Sequence, residues 1–205
     1  MKNNNSLEEQ ILAAAEELFI QKGFTETSTT DIAKKVGCNQ ALVHYYFRTK
    51  DNLFEQIFLQ KVEFALSCVD SYHFNGNFKE LITTMITNYF QFLSNNRQLP
   101  FFVLNELVIN EKRREFIRKH IFNNPHRQKI YYALDQIVQN EVQCGHIRPI
   151  ETLDLLLNIV ALTISTFILL PIYADWLQKD ESAQTAFIEH RKNIVINLIL
   201  TDLSV

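Results

Sequence analysis

Four side chains within six residues carry groups suited to reading a DNA major groove: Gln40, Ala41, His44 and Tyr45. At helical spacing they fall at i, i+1, i+4 and i+5, on one face. That face offers an amide, a methyl, an imidazole and a phenol, which can meet base edges, thymine methyls and phosphates. Val43 and Phe47, with Tyr46 beside them, form the other side and are expected to pack inward. The stretch CNQALVHYYF, 38 to 47, has no Lys, Arg, Asp or Glu, so phosphate attraction has to come from its neighbours. From Ile32 to Lys50 the only charged residues are the bases Lys34, Lys35, Arg48 and Lys50, while Glu8, Glu9, Glu16 and Glu17 lie in the segment before. A net charge of -3 does not oppose this, because phosphate binding needs a basic face and not a basic protein.

Other chemistry is not signalled. His73, His120, His126, His146 and His190 are scattered, and none has a metal-ligating partner at i+3 or i+4. No Ser/His/Asp or Cys/His arrangement can be argued from spacing, so no catalytic residue, metal site or cofactor is expected. Cys38, Cys68 and Cys144 are far apart and odd in number, which suits a reducing, cytoplasmic compartment. The start, MKNNNSLEEQ, lacks the basic-then-apolar order of a secretory signal.

The elements that must position the four side chains are helices. Ser6-x-x-Glu9 and Ser28-x-x-Asp31 are capping boxes opening helices over 6–22 and 28–36, which Gly23 and Gly37 end. Asn39 is a candidate N-cap for a helix over 40–47, and a long helix starts near Thr49–Asn52 and runs to about Ser71. Tyr72–Asn77 reads as a loop. Further helices are expected over 78–95, 100–110, 112–122, 125–144, 150–176 and 182–203. No segment alternates long enough to argue for a strand, so the fold class is all-α with nine or ten helices. Two short helices joined by a Gly-containing turn make a helix-turn-helix candidate, the alternative being an ordinary helical hairpin.

The stretch GFTETSTTDIAKKVGCNQALVHYYFRTKDNLF resembles the DNA-binding domain of TetR-type bacterial transcriptional regulators. The resemblance rests on Gly23-Phe24, Thr29-Thr30, Ile32-Ala33, Gly37, Tyr45-Tyr46-Phe47, Lys50 and Leu53-Phe54, and covers about 50 residues. It implies a helix-turn-helix domain over 1–52 and a helical ligand-binding and dimerisation bundle over 53–205. It also implies a homodimeric regulator, repressor or activator, with repression the working expectation. The homodimer would bind double-stranded DNA at a palindromic operator and release it on binding a small effector. Carried over residue by residue, the DNA contacts are Thr29, Asn39, Gln40, Ala41, His44 and Tyr45, with Lys50 holding a phosphate. Thr29 and Asn39 sit where helix N-termini offer amides to phosphate, and Gln40 suits a bidentate pair with adenine. Cys38-Asn39, Ala41 and His44 depart from the residues common in that family, which bears on which operator is read.

The rest of the chain is apolar and ring-rich. Phe64, Phe78, Tyr89, Phe90, Phe92, Phe101, Phe102, Phe116, Phe122, Tyr131 and Tyr132 fall between 60 and 135. Rings at helical spacing usually form core, yet a pocket among these helices would suit a hydrophobic or aromatic effector. Phe102, Tyr89 and Tyr131 are its candidate rings, with Asn105 and Glu106 as a polar anchor; an exposed polar turn is the alternative for that pair. The basic run EKRREFIRKH, 111 to 120, reads as a solvated face. Leu155–Ala174 has no charge over twenty residues, which is membrane-spanning length, but lacks the flanks of a span. A buried helix is expected there, and the last two helices are expected to meet their copies as a four-helix bundle in an isologous dimer. Two other readings remain: a helical small-molecule carrier that no longer reads DNA, and a protein anchored in a membrane by 155–174.

Overall fold

A computed structural model describes residues 6–70, 77–176 and 180–205, except the side chains of 64–70 and 121. The expected loop at 72–76, His73, and the side chains of Phe64, Leu66 and Cys68 lie outside the described residues. Ten α-helices are present among those described, and no strand. They divide between two compact units, Met1–Phe64 and Ala65–Val205.

The first unit holds α1 (Leu7–Glu26), α2 (Thr29–Val36), α3 (Gln40–Phe47) and the start of α4 (Lys50–Asp70). Both capping boxes form: Ser6 with Glu9, and Ser28 with Asp31. Gly37 ends α2 at φ +79°, and the amides of Gly37 and Cys38 both bond back to the Ala33 carbonyl. That left-handed conformation is open to Gly at little cost. Gly23, at φ +80° and ψ 169°, kinks α1 without ending it, so the helix resumes for one turn to Glu26. Ile11, Ala15, Phe19, Ile32, Val43, Phe47, Leu53, Phe54, Ile57 and Phe58 form the core. Phe54 meets Phe19 edge-on at 5.4 Å and Phe24 at 5.0 Å between ring centroids. The first turns of α4 therefore pack within the N-terminal compact unit, which extends to Phe64.

The second unit holds α5 (Phe78–Asn95), α6 (Leu99–Ile109), α7 (Glu111–Ile117), α8 (Pro125–Gln143), α9 (Thr152–Tyr173) and α10 (Glu181–Leu203). A π-helical turn, Arg118–Phe122, follows α7 where one continuous helix was expected. Helices α5, α9 and α10 pack on one another, with Phe90 and Phe167 at 5.8 Å in their midst. Helices α6 and α8 pack on α9. Arg148, in the α8–α9 connection, donates from Nε to the Asp202 carbonyl at 2.7 Å and pairs with the Asp202 carboxylate, tying down the end of α10. By length and composition α9 could cross a membrane. Its inner face (Leu155, Ile159, Thr163, Thr166, Phe167, Leu170) is buried, and its outer face (Leu153, Leu157, Val160, Ile172) is not.

The α2 cap has a pH signature. A 2.6 Å hydrogen bond from the Ser28 hydroxyl, then the Ser28 backbone N–H, holds the Asp31 carboxyl below its ordinary value. A carboxylate depressed by folding stabilises the fold above the ordinary carboxylate range, and that contribution is lost as pH falls through the lowered value. In an NMR titration, Asp31 is therefore expected to protonate below the ordinary aspartate value, and Ser28→Ala to raise it part of the way back, the backbone N–H of residue 28 remaining. An ordinary Asp31 midpoint in the wild type would contradict the capping geometry.

Candidate nucleic-acid interface

An eight-residue helix is too short to persist alone in water, so α3 depends on its caps and on what it buries. The Asn39 side chain accepts from the Ala41 amide at 2.9 Å and satisfies its N-terminus. Val43 and Phe47 are buried on the inner side. Gln40, Ala41, His44 and Tyr45 are all exposed, as their spacing predicts. Tyr45 stands out at 78% exposed. Tyr46 departs from expectation: it is exposed too, and meets the Tyr45 ring edge-on at 5.3 Å. It lies at the border of the two faces, and the rings of this surface are two rather than one.

Helix α2 is joined to this surface by side chains. Gln40 Nε2 donates to Thr29 Oγ1 at 2.9 Å, and also approaches His44 Nε2 at 3.4 Å. His44 Nδ1 lies 3.1 Å from the Arg48 carbonyl. Thr29 is the first residue of α2, so Thr29, Gln40 and His44 form one continuous polar strip. Arg48 has φ 62° and ψ -55°, and Thr49 N–H bonds the Phe47 carbonyl across it at 2.7 Å. This is a γ-turn of the positive-φ kind, which is strained for a residue with a Cβ. Thr49 then caps α4, its hydroxyl accepting from the Asn52 amide at 3.1 Å.

The basic residues are used differently from one another. Lys35 is drawn onto Glu17 of α1 at 2.5 Å, and this pairing holds the Glu17 carboxyl below its ordinary value. Lys50 donates to the carbonyls of Phe24 and Thr27 at 2.9 Å each and approaches that of Thr25 at 3.5 Å. Its ammonium also lies 4.3 Å from the centre of the Phe24 ring. An ammonium has three donors, and these carbonyls belong to the end of α1 and its cap, where few backbone amides remain to bond them. Lys50 therefore fastens α1 to the start of α4. Lys34 and Arg48 remain exposed beside the strip.

In the second unit the five candidate effector residues are not gathered. Phe102 and Glu106 share the buried face of α6. Asn105 is exposed at the border of that face, Tyr89 is half-buried on α5, and Tyr131 is at the surface of α8. Burial, then the nearby carboxylates of Asp135 and Glu151, push the Tyr131 phenol above its ordinary value. The basic run 111 to 120 is not wholly solvated: Arg113 is 3% exposed, with Nε 3.9 Å from the Glu106 carboxylate. Arg114 Nη1 caps α6, donating to the Leu107 carbonyl at 2.7 Å. A cleft of about 530 Å³ opens between α9 and α10, lined by Ser165, Thr166, Leu169, Tyr173, Phe187 and Arg191 among others. None of the five lines it. Among the described residues no group of three or more metal-ligating side chains comes together.

Two short helices around a left-handed Gly, the outer one presenting amides and rings, make a helix-turn-helix, an arrangement that in DNA-binding proteins places the second helix in the major groove. Residues 11–57 match the family model of bacterial regulatory proteins, tetR family. It is 32% identical over 108 residues to a probable HTH-type transcriptional regulator, YttP, of Bacillus subtilis, over 51% of this chain and 52% of that one. It is 40% identical over 52 residues to the HTH-type transcriptional regulator QacR of Staphylococcus aureus, over 25% of this chain and 28% of that one. The chain thus spans about half the length of the first of these relatives and less of the second. The fold matches over nearly the whole length: the crystal structure of the transcriptional regulator FadR from Bacillus subtilis in complex with stearoyl-CoA superposes with a TM-score of 0.68 at 20% identity, covering 95% of this chain and 98% of that one.

Replacing Lys50 by Met is expected to cost about 2 kcal/mol of stability in urea unfolding, as its charged hydrogen bonds are lost. Unchanged stability with weakened DNA binding would instead place the ammonium on phosphate. Glu106→Ala is expected to lower stability in urea unfolding, because it removes a carboxylate 3.9 Å from the buried Arg113 guanidinium, and the paired change Glu106→Leu with Arg113→Met to recover most of that loss. A paired variant no better than the single one would contradict this account of the pair.

Proposed function

We propose that this chain is a ligand-responsive transcriptional repressor of the cytoplasm. It binds a palindromic operator as a homodimer and is released by a small hydrophobic or aromatic effector. The observation that carries the DNA reading is the outer face of α3, where Tyr45 is 78% exposed beside Gln40, Ala41 and His44 on a capped and anchored helix. A large ring left in water beside a polar strip, with Lys34 and Arg48 exposed nearby, suits a polyanionic partner. Thr29, Asn39, Gln40, Ala41, His44 and Tyr45 are the contacts in this reading, and Lys50 acts through the placement of α1 and α4.

The dimer reading rests on α9. Leu153, Leu157, Val160 and Ile172 leave an apolar stripe uncovered, with Leu198 exposed on α10. A second copy seated on this face would cover it and account for its apolarity without a membrane. Two recognition helices about 34 Å apart would then read two half-sites. An effector that favours a different separation weakens operator binding by population shift. Phe102 and Glu106, together on the inner face of α6, are the strongest of the effector candidates, with Tyr89 next. The B. subtilis FadR fold relative holds stearoyl-CoA, which supports an apolar effector here.

The test is binding at stated salt to a palindromic duplex taken from upstream of the protein's own gene. Tyr45→Ala is expected to weaken binding about tenfold or more, and Leu157→Arg to yield a monomer in sedimentation that binds poorly. Undiminished binding by Tyr45→Ala would remove the contact assignment, and a wild-type monomer would remove the dimer.

A further inference from the structure

The hydrogen bonds around Gln40 determine which end of its amide remains for a ligand. The Arg48 carbonyl can only accept. His44 Nδ1, 3.1 Å away, must therefore be the protonated nitrogen. In a neutral imidazole the other nitrogen, Nε2, is then an acceptor. Facing Gln40 at 3.4 Å, it can be satisfied only by an N–H, so Gln40 turns its amino end towards His44. The Thr29 hydroxyl at 2.9 Å takes the second N–H of the same amino group. A hydroxyl can donate or accept and would suit either amide orientation, so the choice is made at Arg48. The strained turn there, at φ 62°, aims that carbonyl back at the helix. Both N–H groups of Gln40 are thus engaged within the protein, and the carbonyl Oε1 is left on the exposed face.

We infer that Gln40 reads DNA as a hydrogen-bond acceptor alone, with Thr29, His44 and the Arg48 carbonyl as its positioning groups. This rests on the DNA-binding reading above and sharpens it. A free Gln amide pairs bidentately with adenine, donating to N7 and accepting from N6. Here the donor half is occupied. The major-groove amino groups are N6 of adenine and N4 of cytosine, while guanine and thymine offer acceptors there. The base facing Gln40 is therefore adenine or cytosine with little preference between them, and guanine and thymine are refused. His44 sets operator specificity at this position through the orientation of the Gln40 amide.

The experiment is selection of binding sites from duplexes carrying two inverted, randomised half-sites, at mildly alkaline pH where imidazole is neutral. Wild-type protein is compared with His44→Phe and Thr29→Val, with the helix content of each checked by circular dichroism. The expected wild-type result is one half-site position that takes adenine and cytosine to within about threefold of each other and excludes the other two bases. Freeing the amide in either variant should let it pair bidentately, raising adenine over cytosine about tenfold at that position alone. Selection of adenine alone, of guanine or of thymine at every position by the wild type would overturn the inference. So would selected sites identical among the three proteins. Failure of the wild type to enrich any sequence would instead overturn the DNA-binding reading, and the inference with it.

Discussion

A helix of two turns does not hold itself together in water, and the candidate interface is built on one. Everything in the N-terminal unit acts to keep α3 in place while leaving its outer face bare. Val43 and Phe47 anchor it, Asn39 satisfies its first amides, and the left-handed Gly37 fixes the angle at which it leaves α2. Beneath it the rings of Phe19, Phe24 and Phe54 join α1 to α4. Lys50 closes the same junction by collecting the carbonyls at the end of α1. The unit is small, so these few contacts carry much of its order, and loss of any one of them reaches the recognition surface.

The same economy shapes the charge. Of the four bases near α3, Lys35 is paired with Glu17 and Lys50 is fastened to backbone, leaving Lys34 and Arg48 exposed. The helix presents neutral polar groups and rings, and its polar groups are already organised by one another before any partner arrives. Groups held in advance lose less freedom on binding, which favours selectivity over raw attraction. The strained turn at Arg48 belongs to this organisation, because its carbonyl fixes the His44 tautomer and, through it, the Gln40 amide.

Helix positions were legible from period and punctuation. The boxes at Ser6 and Ser28, the stops at Gly37 and Pro-containing breaks, and the inner and outer faces of α3 all follow from residue spacing. What spacing does not carry is the destination of a long side chain. Lys50 and Lys35 read as free cations because their partners lie far back in the sequence, on α1. Arg113 read as solvated although it reaches into the bundle beside Glu106. Tyr46 sits at the edge of the helical wheel, where burial depends on neighbouring helices. Among the rings expected to gather in the second unit, Phe90 and Phe102 are buried, while Phe101, Phe122 and Tyr132 are exposed. Composition identifies a ring-rich bundle but does not say which rings its helices turn inward. The first turns of α4 pack with the N-terminal unit because Leu53 and Phe54 belong to its core.

In the function proposed above, DNA is read along the strip from the N-terminus of α2 over the outer face of α3. The most direct measurement is the amide spectrum of the labelled protein during titration with a selected operator duplex. The account predicts that the largest shifts fall on Thr29 and on Asn39 through Tyr45, with the inner residues Val43 and Phe47 moving less than their outward neighbours. Perturbations confined to the second unit, or absent from α3 at saturating duplex, would contradict it.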